Sequence, residues 1–125
     1  MAHFRYYNRN ENPGIQRNDC VTRAISLASG MSYEDTRRKL YHTAKLLDCN
    51  RICMSCYKFL IENVLCAKPL DCDGLTVEDF ADIHPQGTYL VRMEGHISTI
   101  IDNTIYDIFD CRSRALTNAW RVFTT

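Results

Sequence analysis

The chain has no surplus of either charge, no long apolar run and no second close pair of cysteines. Lysine plus arginine and aspartate plus glutamate number 15 each, so the formal net charge is zero. That argues against a nucleic-acid binder, which needs a basic surplus to displace phosphate counterions. No apolar stretch approaches the ~18 residues of a membrane-spanning helix. The opening MAHFRYYNRNENPG is polar and aromatic and lacks the apolar centre of a signal peptide, so the expected compartment is the cytoplasm and no membrane partner is expected. There the seven cysteines are expected as thiols, metal ligands or catalysts rather than disulfides, and their odd number fits. Repeats, low-complexity stretches and dividing linkers are also missing. The 125 residues, 46% of them hydrophobic and 24% charged, therefore read as one globular domain with residues 1–17 as an extended lead-in.

Asn12-Pro13-Gly14 is a turn signal within that lead-in. A first helix is expected over roughly Cys20 to Ser29, where Val21, Ala24, Ile25 and Ala28 recur on one face. Asn18 or Asp19 can cap its start and Gly30 can end it. A second helix begins behind Ser32, which has capping-box spacing to Asp35. A third is expected over Cys53 to Leu65, and a short fourth over Val77 to Ala81 with Thr76 as cap. After His84 the texture changes to TYLVRME, HISTIID, TIYDIFD and AWRVF, runs of strand composition, with Asp102-Asn103 as a hairpin turn. Helices first and strands afterwards mean an α+β fold, N-terminal helices packed on a C-terminal antiparallel β-sheet.

Cys20 stands where the first helix begins. Free backbone N–H groups and the helix dipole favour negative charge there, which promotes the thiolate and can also stabilise an oxyanion. His96, directly after Gly95 at the head of a strand, is the candidate base, and the glycine would permit close approach of a substrate or backbone. A third group should orient the imidazole. The next strand offers Asp110, favoured because a hairpin turning at Asp102-Asn103 puts residue 109 or 110 opposite His96, with Asp107 as the alternative.

Asp19-Cys20-Val21-Thr22-Arg23-Ala24, then Gly95-His96, then Asp102 and Tyr106-Asp107-Ile108-Phe109-Asp110, with Trp120 near the end, follow one another in a telling order. In this the chain resembles the papain-like cysteine peptidase superfamily, in particular its small C39-like branch of compact phage and bacterial proteins. The resemblance implies a papain-like fold and a cysteine hydrolase acting on peptide, isopeptide or related amide bonds. Cys20 would be the nucleophile, His96 the base and Asp110, or Asp107, the orienting acid. It implies no metal or organic cofactor, and a peptide or protein partner, a host protein if the chain is phage-encoded. Papain-like enzymes usually place a glutamine six residues before the cysteine; here Gly14 stands there, so Gln16 and Asn18 are the candidate oxyanion donors.

Each residue also has a plainer reading. Cys20 can be a small buried hydrophobe and His96 a packed strand residue. On that view the same scaffold is a non-catalytic binding protein, for example a phage factor capturing a host protein or small molecule. Arg23 either pairs with a carboxylate near the site or lies on a solvated helix face, and Trp120 reads as core. Cys49, Cys53, Cys56, Cys66 and Cys72 crowd one segment, and Cys53-x-x-Cys56 has zinc-pair spacing, but a structural zinc site needs a second close pair. Phe4, Tyr6 and Tyr7 suit either a strand at the sheet edge or a partner contact.

Overall fold

A computed structural model describes residues 1–10 and 18–123. Four helices are α1 (Cys20–Ser29), α2 (Tyr33–Leu47), α3 (Met54–Phe59), which continues into one π turn at Leu60–Val64, and α4 (Val77–Ile83). Six strands are β1 (His3–Tyr6), β2 (Lys68–Leu70), β3 (Thr88–Met93), β4 (His96–Ile101), β5 (Thr104–Asp107) and β6 (Asn118–Val122). None of the described helices is long and apolar enough to cross a membrane.

Helix ends obey local chemistry. Gly30 closes α1 in the left-handed conformation at φ 79°, where a side chain would be strained. The Ser32 hydroxyl accepts the Asp35 N–H at the head of α2. Thr76 and Asp79 form a complete reciprocal capping box on α4. Asp102 and Asn103, at φ 47° and 65°, make the two-residue turn between β4 and β5, where both central residues need positive φ.

The strands form one sheet in the order β1-β5-β4-β3-β6-β2. It is mixed, and this corrects the expected antiparallel, wholly C-terminal sheet. β1 pairs parallel with β5 at one edge, and β2 from the middle of the chain pairs antiparallel with β6 at the other. The lead-in therefore contributes a strand, and Phe4 packs against the core.

Strand alternation splits the core in two. Leu90, Ile97, Trp120 and Val122 meet α1, α2 and α3 on one face. Tyr89, Val91, Met93, Ile100 and Ile105 meet Val77, Phe80 and Ala81 of α4 on the other. The sheet is thus covered on both faces, where two segregated layers were expected. Trp120 is core, as read, and its indole N–H donates to Glu62 at 2.8 Å.

Helix α1 lies along β4 and runs the same way. The Ile97 backbone hydrogen-bonds Cys20, and four helical residues further on the Thr99 hydroxyl donates to the Ala24 carbonyl at 2.7 Å. Four helical residues rise about 6 Å and two strand residues about 6.6 Å, so the two elements stay in step. That match brings the first residue of α1 to the first residue of β4.

Candidate active site

Cys20 opens α1, so its backbone N–H and those of Val21 and Thr22 have no partner within the helix. Asp19, at the cap position, does not cap with its side chain. Its carboxylate is engaged elsewhere, so the helix start stays open towards the sulfur. His96 follows the two-residue turn Glu94–Gly95, which joins β3 to β4. Gly95 sits at φ 76°, and a Cβ there would meet nothing within 4 Å. Its role is therefore the left-handed turn, not the close approach that the sequence suggested.

The His96 ring lies between an acid and a thiol. Its Nε2 donates to Asp107 Oδ2 at 2.6 Å, which leaves Nδ1 as the ring nitrogen for the Cys20 sulfur. Burial by itself would push the imidazole pKa down, but the bonds to Asp107 and then to Cys20 win and raise it to about 9. Burial would likewise push the Cys20 thiol up; hydrogen bonding to His96 and to the Ile97 backbone, with the charges of His96 and Arg23, holds it below the ordinary thiol value. A thiol pushed down and an imidazole pushed up both favour the thiolate–imidazolium form of the pair over the neutral one.

Asp107 is the hub. It is 3% exposed and gathers five donors. His96 and the Ser98 hydroxyl, at 2.7 Å, bond Oδ2; Arg23 Nη1, at 3.1 Å, and the Ile108 N–H, at 2.7 Å, bond Oδ1. The Cys111 thiol approaches Oδ2 at 3.9 Å. Burial works against the carboxylate, yet these bonds, led by His96 and Ser98, keep its pKa below the usual range. Behind it, Arg23 Nε reaches Asp19 at 2.8 Å, and Asp19 also accepts from Asn10 and Tyr33.

The favoured Asp110 is not the His96 partner. It is exposed and bonds Arg112, at 2.8 Å for the closest contact. The reason is where the strand stops. The β4–β5 ladder runs Ile101↔Thr104, Ile100↔Ile105, Thr99↔Tyr106 and no further. Residues 108–110 leave the sheet, and the side chain of Asp107 spans the opening strands to His96 and Ser98. The residue that does come opposite His96 is Phe109, whose ring packs 4.6 Å away, centroid to centroid.

The donors proposed for an oxyanion divide. Gln16, with the Asn12–Gly14 turn, lies outside the described residues. Asn18 is exposed, adopts φ 54°, and borders the cleft beside Cys20. That cleft has two halves, of about 360 and 310 Å3, which share Asn18, Cys20, Gly95 and His96. The sulfur and the imidazole therefore meet at an accessible seam between helix and sheet.

One feature was missed in the sequence, and one pair of alternatives is resolved. Ser98 carried no signal beyond its place two residues along the strand from His96. Arg23 did carry one: its i,i+4 spacing from Asp19 is that of a helix ion pair. It is 9% exposed, not on a solvated face.

His96, Asp107 and Cys111 hold ligand-type atoms within 4.8 Å of one another. Their chemistry suits an ion poorly. His96 and Asp107 are already bonded to each other, Arg23 places a cation on the same carboxylate, and burial raises the Cys111 thiol to about 11, where it stays protonated. Cys49 and Cys56 are neighbours at the helix-side core, Cys72 is buried in the opposite core and Cys53 and Cys66 are exposed, and among the described residues no three of these cysteines gather closely enough to hold an ion. Set against known proteins, the chain matches no family model, no curated protein and no solved structure.

Proposed function

We propose that this protein is a cysteine hydrolase of papain-like design, cutting a peptide, isopeptide or related amide bond through Cys20, His96 and Asp107. The observation that carries the reading is the His96 ring held by Asp107 at 2.6 Å and sharing one cleft with a thiol at a helix start. Asp107 keeps Nε2 protonated and the ring oriented, so that Nδ1 trades its proton with the sulfur. The thiolate attacks the acyl carbon, and a C–S bond forms. The oxyanion accepts from the unpaired N–H of Cys20 and from the Asn18 amide. The His96 proton passes to the leaving nitrogen as the C–N bond breaks. Water, deprotonated by His96, then releases the acid and restores the thiol. The cytoplasm, that of an infected host if the chain is phage-encoded, is the proposed compartment.

Iodoacetamide at pH 6, read at each cysteine by peptide mapping, tests this. Cys20 is expected to react far faster than the six other thiols, and His96→Ala to remove its lead. Uniform, slow labelling would overturn the hydrolase reading and favour a binding protein on the same scaffold.

A further inference from the structure

The two halves of the cleft differ in chemistry. One is lined by amides and by Asp19 and Arg23, whose charges are spent on each other and on Asp107. The other, of about 310 Å3, is walled by Val21, Ile52, Met54, Tyr57 and Ile97, and carries Arg92 at its border. Arg92 bonds only neutral oxygens by its side chain: Nε donates to the Tyr57 hydroxyl at 2.6 Å and Nη1 to the Thr117 hydroxyl at 2.8 Å. Among the described residues it forms no ion pair. Arg23, Arg37, Arg38 and Arg112 each have a carboxylate, and of the described arginines that have none, Arg92 is the one that lines this cavity. Arg92 is thus a half-buried guanidinium, pre-set by two hydroxyls and facing a cavity that also holds the nucleophile. A fork-shaped cation of this kind suits a carboxylate. The apolar walls suit an aliphatic side chain, and the volume falls in the range of ligand pockets.

We infer that this half of the cleft takes an apolar side chain followed by a carboxylate, either an acidic residue or the free C-terminus of a peptide. The inference rests on the hydrolase reading for the bond to be cut, and names the chemistry of what is presented to it. Ile52 and Met54 supply the apolar contact at the start of α3, and Arg92 supplies the charge.

Three alkylating probes test it: bromoacetyl-leucinamide, bromoacetyl-leucine and bromoacetyl-leucyl-glutamic acid α-amide, whose side-chain carboxylate is free. In each, the Cys20 sulfur displaces bromide, forming C–S as C–Br breaks. Rates are read at Cys20 by peptide mapping and divided by the rate at exposed Cys66 of the same molecule. One or both carboxylate probes should exceed the amide by about tenfold, the scale of one charge-assisted contact. A lead for bromoacetyl-leucine alone assigns a C-terminal carboxylate; a lead for the glutamyl probe assigns an acidic side chain. Arg92→Gln should erase the lead, so that in the variant the carboxylate probes react no faster than the amide. Ile52→Ser, on an exposed turn, should slow the leucyl probes a few-fold against their glycyl counterparts, and serves where Arg92→Gln does not fold. Equal rates for the three probes on the native chain would overturn the inference, as would an undiminished lead in a folded Arg92→Gln. The ratio is independent of absolute thiol reactivity. A slow Cys20 that keeps the ratio would sink the hydrolase reading alone, and a fast Cys20 without it would sink this inference alone.

Discussion

Two cysteines stand at helix starts in this molecule. Cys20 opens α1, and Cys53 occupies the cap of α3. Both thiols are held below the ordinary value, but by different means. Cys53 is exposed, and its shift comes from hydrogen bonds to the Ser55 side chain and then to local backbone. Cys20 is half-buried and must overcome desolvation, which it does through His96 and the Ile97 backbone, elements more than seventy residues away in sequence. At Cys53 the neighbouring residues of the helix start do the lowering, whereas at Cys20 a distant strand does it, and only Cys20 has a base, an acid behind the base and a cleft around it.

The comparison breaks most severely at Asp107. Asp107→Ala leaves a raised imidazole buried without its anion and takes one of the two carboxylates from Arg23, and removing one partner of a buried pair costs about 3–5 kcal/mol. Urea denaturation should register that loss, while Asp110→Ala should leave the midpoint nearly unchanged, because an exposed pair with Arg112 is screened by solvent. If the two variants behave alike, Asp107 is not the hub.

Next in size is the effect of His96→Ala on alkylation at pH 6. The rate at Cys20 should fall about tenfold or more, because its thiolate fraction depends on the ring. The rate at Cys53 should not move, since no imidazole contributes there. A parallel fall at both sites would mean a general change in the fold.

The pH dependence of stability sharpens the same contrast. His96 is raised from 6.5 to about 9 in the folded chain, so its contribution is complete below about pH 6.5 and is lost as pH rises through about 9. Asp107 is lowered, so its contribution is present above the ordinary carboxylate range and is lost as pH falls through its folded value. Urea midpoints measured against pH should therefore decline on both sides of a plateau, and His96→Ala should flatten the alkaline side. Hydrolysis should also fall as pH rises through about 9, when the imidazole can no longer protonate a leaving amine.

The smallest expected effect is Ser55→Ala. Losing the hydroxyl contact at 3.3 Å should slow alkylation of Cys53 less than about threefold, on the scale of one exposed hydrogen bond. Cys20 should be indifferent. A response at Cys20 would show that the two thiols, which share Tyr57 as a neighbour, are coupled.

Much of the fold was legible. The limits of α1, the capping of α2 and α4, and the Asp102-Asn103 turn follow from local rules that need only neighbouring residues. The parallel β1 was not legible, because a strand that pairs across a hundred residues carries no local mark of its partner. The acid was misjudged for a related reason. Counting along a hairpin presumes that both strands persist, and β5 ends at Asp107. Arg23 had its signal in the spacing to Asp19, but whether a helix face is wet or buried depends on what packs against it. Of the two candidate oxyanion donors, Gln16 lies outside the described residues.

By itself, the sequence determined where helices and strands begin and that a thiol and an imidazole stand at two of those beginnings, since caps, turns and apolar periods act over a few residues. Only the tertiary structure decided which carboxylate meets His96, that Arg23 is buried behind it, and that one side of the cleft is apolar with an unmatched guanidinium. Those outcomes depend on where α1 settles along β4 and where β5 gives way, and both are set by packing between segments far apart in the chain.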